Sequence, residues 1–94
     1  MLFVTLCKPL PGTEGERVRR RMELGYAENG PVVAEYWLES TDLAGIVICK
    51  ADHIGQLWTM FGAWGDLFEM TIVPAIEARE GLELLKQMIG EAQA

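Results

Sequence analysis

Histidine occurs once and cysteine twice among the 94 residues, so the chain is short of the side chains that bind metals or staple small folds. Cys7 and Cys49 lie far apart, neither belongs to a Cys-x-x-Cys or Cys/His grouping, and the single His53 cannot complete a zinc set. Neither a metal nor a cofactor is expected, and the two thiols read as buried and reduced, in a cytoplasmic protein. Long hydrophobic runs are also missing. The longest uncharged stretch, Ile54 to Gly65, contains Gln56, Thr59 and three glycines, and falls short of the ~18 apolar residues of a membrane span. The opening Met1-Leu2-Phe3-Val4 has no positive charge ahead of it and Lys8 closes it, which predicts no secretory signal. Positive charge is scarce: 8 Lys and Arg stand against 14 Asp and Glu, for a net charge of −6 and a pI near 4.6. Such a field repels phosphate backbones and anionic lipid, so neither nucleic acid nor a membrane is an expected partner.

Half of the residues are hydrophobic and 23% are charged, a composition that folds. The length suits a single domain over residues 1–94, with one modest core. Met1 to Lys8 is apolar and β-branched and ends at Pro9, Pro11 and Gly12, as a strand followed by a loop does. Thr13 stands three before Glu16, the spacing of a capping box, and predicts a helix over about Glu14 to Leu24. Val18, Met22 and Tyr26 share one stripe of that helix, Gly25 ends it, and Asn29-Gly30-Pro31 turns the chain. Val32 to Glu39 alternates with a period of two, Ser40-Thr41-Asp42 turns, and Leu43 to Cys49 completes a hairpin. Asp52 is placed to cap a second helix, whose Ile54, Leu57, Trp58, Phe61 and Trp64 fall at helical spacing and read as core. Leu67 to Val73 alternates again up to Pro74. A last helix over about 78–91 carries Leu82, Leu85, Met88 and Ile89 on one stripe.

The order strand, helix, strand, strand, helix, strand is that of an α+β, ferredoxin-like βαββαβ domain. Its four-stranded antiparallel sheet has helices on one face, with an extra C-terminal helix. Taking the more uniformly apolar parity as the helix-covered one assigns Leu2, Val4, Leu6, Val32, Ala34, Tyr36, Leu38, Ile46, Ile48, Phe68, Met70 and Ile72 to it. The opposite, mixed face then carries Phe3, Thr5, Cys7, Val33, Glu35, Trp37, Glu39, Val47, Cys49, Glu69, Thr71 and Val73. Such a surface suits a dimer seam, or a ligand cleft closed by a second subunit.

On that face Glu35 and Glu69 are candidates for proton transfer if desolvation raises either pKa; the alternative is an edge glutamate facing water. His53 is a third candidate, at the start of the second helix, where an exposed first-turn residue is the plainer reading. Phe3, Thr5, Trp37, Cys49 and Thr71 are the candidate ligand contacts, although an interface anchor or a core tryptophan is the plainer reading of Trp37. Cys7 and Cys49 fall near the same ends of neighbouring strands and read as inert core thiols, because Lys8 and Lys50 alternate onto the other face. The cluster Arg17, Arg19, Arg20 and Arg21 reads as a solvated face paired with Glu16 and Glu23.

From Met1 to about Ile76 the chain resembles the dimeric α/β-barrel superfamily, in which two ferredoxin-like subunits pack sheet to sheet. Within it the chain is similar to a short, functionally uncharacterised bacterial and archaeal domain family. The resemblance is carried by the Met1-Leu2-Phe3 start, Trp37, Asp52, and Trp64-Gly65-Asp66-Leu67 leading to Ile72-Val73-Pro74. Lys50 and Thr71 stand where that family often has glutamates. The wider superfamily includes cofactor-free monooxygenases, lactone isomerases, haem-degrading enzymes and small-molecule sensors, and fold analogy does not choose among them. The expectation is a homodimer enclosing a small apolar or aromatic molecule between the sheets, with cofactor-free oxygenation or isomerisation as the implied chemistry. A dimerisation or interaction module without a ligand pocket is the alternative.

Overall fold

A computed structural model describes residues 1–25, 30–40 and 42–93. Its elements are β1 (Leu2–Pro9), α1 (Glu14–Leu24), β2 (Val32–Trp37), β3 (Gly45–Lys50), α2 (Gly55–Gly62), β4 (Phe68–Ala75) and α3 (Ala78–Gln93). The turn positions Tyr26, Asn29 and Thr41 lie outside the described residues.

The four strands form one sheet in the order β2-β3-β1-β4, with every neighbouring pair antiparallel. β1 and β3, the strands richest in Val, Ile and Leu, take the centre. β4 ends in Pro74 and Ala75 at one edge, where a missing backbone donor costs no ladder bond. This is the expected ferredoxin-like α+β arrangement, with α1 and α2 on one face.

Local chemistry differs from the expectation at both helix starts. Thr13 is the N-cap of α1 but makes no side-chain cap bond. Its hydroxyl instead donates to the Leu10 carbonyl at 2.7 Å and accepts from Arg17 Nε at 3.0 Å, while Glu16 turns to Arg19 and Arg20. Gly25 closes α1 at φ 63°, a conformation in which a Cβ would be strained. The N-cap of α2 is Ile54 and not Asp52, whose backbone N–H donates to Gln56 Oε1 at 2.8 Å.

The larger correction concerns which way the strands face. Phe3 lies opposite Cys49 and Pro74, Thr5 opposite Val47 and Ile72, and Cys7 opposite Gly45 and Met70. Directly opposed residues share a face. The cluster of Phe3, Cys7, Val47, Cys49, Ala51, Leu57 and Phe61 lies on that face, under α2, with Phe68, Met70 and Ile72 packed against it. Leu2, Val4, Leu6, Ile46 and Ile48 therefore point the other way, the reverse of the parity expected for β1 and β3; for β4 the expected parity holds. In β2 the register shifts between Val32 and Ala34, a bulge. Val32 pairs with Cys49 on the covered side. Beyond the bulge Glu35 and Trp37 pair with Val47 and Gly45 on that same side, and Ala34 and Tyr36 with Ile48 and Ile46 on the open one.

The open face is apolar through its middle, with Lys8, Lys50, Glu69 and Thr71 nearer its margins. Leu2, Val4, Leu6, Ala34, Tyr36, Ile46, Ile48 and Val73 cross all four strands, and none belongs to the buried cluster. Nor does α3 lie over it: every described side chain from Leu82 to Glu91 is exposed.

Candidate functional site

The side chains expected to share one site are divided between the two faces. Phe3, Thr5, Cys49, Glu35 and Trp37 are on the helix-covered side; Glu69 and Thr71 are exposed on the open side, where Thr71 opposes Leu6 and Glu69 opposes Lys8. Glu35 and Glu69 also sit on the two edge strands, three strand spacings or roughly 14 Å apart. They form no carboxylate pair. His53 is exposed in the turn before α2. Cys7 and Cys49 share the covered face but not the same ends, since Cys7 opposes Gly45 and Cys49 opposes Phe3. Both are free and buried. Burial pushes the Cys7 thiol up to about 11, with the nearby charge of Glu35 acting in the same direction, and burial also raises the Cys49 thiol. Neither is a nucleophile at neutral pH.

What gathers on the covered side was not foreseen. α1 turns its arginines inward and its apolar stripe outward: it buries no residue, and Val18 and Met22 are 60% and 81% exposed. Arg19 alone keeps the expected solvated role, bonded to Glu16 and Glu23. Arg21 Nη2 bonds Glu35 Oε2 at 2.6 Å, and the same oxygen accepts from Trp37 Nε1 at 2.8 Å. The Arg21 guanidinium also lies 5.3 Å from the Trp64 ring and 6.0 Å from that of Trp37. Arg20 grips Asp66 with two 2.8 Å bonds, donates to the Ala63 carbonyl at 2.9 Å, and covers Trp64 at 5.7 Å. Arg17 covers Phe68 at 5.7 Å. Three guanidinium groups so placed over aromatic faces hold α1 on the sheet by cation–π contact and packing of their aliphatic stems. The signal was present in the sequence, because positions 17, 20 and 21 are themselves one helical stripe.

Beside this cluster an open cleft of about 390 Å³ runs between α2 and β4, lined by Ile54, Trp58, Phe61, Phe68, Met70 and Ile72, with Gly62 at its mouth. Trp58 is 63% exposed and lines the cleft, whereas Leu57 and Phe61 enter the core, so only part of the expected aromatic stripe is core. Thr5 opposes Ile72 of the cleft wall, is fully buried, and its hydroxyl has no hydrogen-bond partner among the described residues. Among those residues no group of three or more His, Cys, Asp or Glu is placed to hold a metal, and no helix is long and apolar enough to cross a membrane.

Fold and site together define a ferredoxin-like α+β domain with an arginine-clamped helix layer on one sheet face. The chain belongs to DUF3303, a domain family of unknown function whose model matches residues 1–89. Among solved structures it is similar to 5-chloro-2-hydroxyhydroquinone dehydrochlorinase (TftG) from Burkholderia phenoliruptrix AC1100, described in complex with 2,5-dihydroxybenzoquinone. That likeness has a TM-score of 0.68 at 18% identity and covers 85% of this chain and 98% of the other, which shows the fold. A weaker likeness is to the crystal structure of FFRP-DM1, with a TM-score of 0.48 at 15% identity, covering 81% of this chain and 100% of the other. No curated protein matches the sequence.

Proposed function

We propose that the protein is a homodimer that binds a small apolar or aromatic molecule, the two open sheet faces packed together and the ligand held in each subunit's α2–β4 cleft. The observation that carries the reading is the apolar stretch crossing all four strands with no element over it among the described residues. Soluble proteins rarely leave such a surface bare. The ligand part rests on the cleft, whose volume falls within the roughly 300–1,000 Å³ of small-molecule sites and whose lining is aromatic and aliphatic. A protein of this fold described with a benzoquinone accords with a ring-sized occupant, by analogy. Moving the ligand from between the sheets to the helix side follows from where Phe3, Thr5, Glu35, Trp37 and Cys49 lie. Of the three proton-transfer candidates none lines the cleft: Glu35, bonded to Arg21 and Trp37, is on the edge strand away from β4, Glu69 is on the open face, and His53 is exposed just before cleft residue Ile54. A cofactor-free oxygenation or isomerisation would have no acid–base residue of these three in the cleft wall, so we place binding ahead of chemistry.

Sedimentation velocity and a titration with 1-anilinonaphthalene-8-sulfonate test the two halves. Ile48→Glu, at the centre of the open face, is expected to convert a dimer into folded monomers. Gly62→Phe is expected to abolish saturable dye binding, because a Cβ at Gly62 meets nothing within 4 Å and the ring can fill the cleft. A wild-type monomer refutes the dimer. Dye binding unchanged by Gly62→Phe refutes the cleft and leaves a dimerisation module without a ligand.

A further inference from the structure

We infer that α3 is an exchanged arm, its apolar stripe docked on a second copy of this chain. The inference rests on the sheet-to-sheet dimer proposed above and assigns that dimer a second contact. Leu82, Leu85, Met88 and Ile89 recur along one side of α3 and are each 51–64% exposed. A helix of 16 residues with Gly81 and Gly90 inside it is marginal on its own in water, so its stability must come from packing. Its own subunit does not supply that packing. The molecule is 58 Å long with a radius of gyration of 16.6 Å, against about 12 Å for a compact chain of this length. The helix leaves the sheet at an open groove lined by Leu2, Lys50, Pro74, Ile76 and Glu80, and Leu2 and Lys50 belong to the open face.

Area favours a second copy as the occupant. Four strands about 4.8 Å apart and roughly 20 Å long present about 400 Å² per subunit, or about 800 Å² in a sheet-to-sheet pair. That is half of the roughly 1,600 Å² of an ordinary stable interface. Covering four half-exposed aliphatic side chains removes roughly 100 Å² each from the arm, and about as much from the surface beneath. Two arms therefore add about 1,600 Å², which brings the pair into the range of obligate dimers. The polar side of α3 argues against anionic lipid, because Glu80, Glu83 and Glu91 outnumber Arg79 and Lys86, whereas surface-lying helices are rich in Lys and Arg.

The test is sedimentation equilibrium of the full chain and of its L85E/M88E variant. Both side chains are exposed within the subunit, so the fold should survive, as circular dichroism will report. The expected result is a wild-type dimer whose dissociation constant rises at least 100-fold in the variant. An isotope-filtered NOE experiment on mixed labelled and unlabelled wild type needs no substitution, and should show α3 methyl groups against the other subunit. Dissociation unchanged within threefold, NOEs from α3 to its own chain alone, or α3-dependent binding to phosphatidylserine vesicles overturns the arm. A dimer broken by Ile48→Glu but indifferent to L85E/M88E fails the arm alone; a monomeric wild type fails the sheet pairing and the arm together.

Discussion

Thr5 offers a test of the covered face at a single atom. It is fully buried on the central strand β1, opposite Val47 on one side and Ile72 on the other, and its hydroxyl has no partner among the described residues. An unmade bond at a buried hydroxyl costs about 1–3 kcal/mol. Valine has the same branched shape and an equal preference for strands, and its second methyl adds up to about 0.8 kcal/mol of apolar burial. Thr5→Val should therefore stabilise the fold by about 1–2 kcal/mol, raising Tm by about 4–16 °C for a domain of this size. Differential scanning calorimetry at one fixed protein concentration measures it, since pairing of subunits would make Tm depend on concentration. Thr5→Ser is the control: it keeps the hydroxyl and removes a methyl, and should cost about 0.5–1.5 kcal/mol. A Thr5→Val protein of equal or lower Tm refutes the reasoning, because the hydroxyl must then be satisfied in solution.

Leu57 is fully buried between α2 and the sheet, so Leu57→Ala should lose about 2–5 kcal/mol in urea unfolding; a loss below 1 kcal/mol would mean that α2 packs elsewhere. Cys7, pushed up to about 11 by burial, should resist iodoacetamide at pH 8 until denaturant is added. Its neutral thiol favours the fold fully below pH 9, and that contribution should fade as pH rises from 9 towards 11; rapid alkylation of the native chain contradicts both statements. At the acid end, hydrogen bonds from Arg19 and then Arg20 hold the Glu16 carboxyl down to about 2, and Arg20 likewise lowers that of Asp66. Depressed carboxylates stabilise above their ordinary range and lose that contribution as pH falls. Tm should decline between about pH 4.5 and 2, and Arg20→Ala should flatten the decline; an equal slope in the variant would assign it to other carboxylates.

Element order was legible because period and punctuation agreed at each step. Pro9, Pro11 and Gly12 end β1, the limits of α1 fall at Glu14 and Leu24, and the β4 phase is right because Glu69 and Thr71 contrast with Phe68, Met70 and Ile72. No such contrast exists in β1 or β3. Leu2, Val4 and Leu6 are as apolar as Phe3, Thr5 and Cys7 are buriable, so composition could not set the phase, and a slip of one residue reverses every side chain. The bulge at Val32 and Ala34 adds a phase change inside β2 that alternation cannot register. In α1 the error came from pricing arginine as solvent-facing. Against Trp37, Trp64 and Phe68 its stem and flat guanidinium pack as a covering layer, while Val18 and Met22 are left outside.

These misassignments share a cause that bears on the candidate site. In β1 and β3 both parities are apolar enough to be buried, and the helix layer covers the one that holds Thr5, Cys7 and Cys49, with Glu35 of β2 beside them. Helix α1 has a polar partner on that face: the Arg21 charge, partly covered by two indoles, is bonded to Glu35, and an alanine at Glu35 would remove that ion pair. Burial disfavours the Cys7 thiolate, and the charge of the same carboxylate acts in that direction too. The open face keeps aliphatic side chains and Tyr36 across β1, β2 and β3, while Lys8, Lys50, Glu69 and Thr71 stand around them, an apolar centre with a polar rim of the kind that a second sheet could cover.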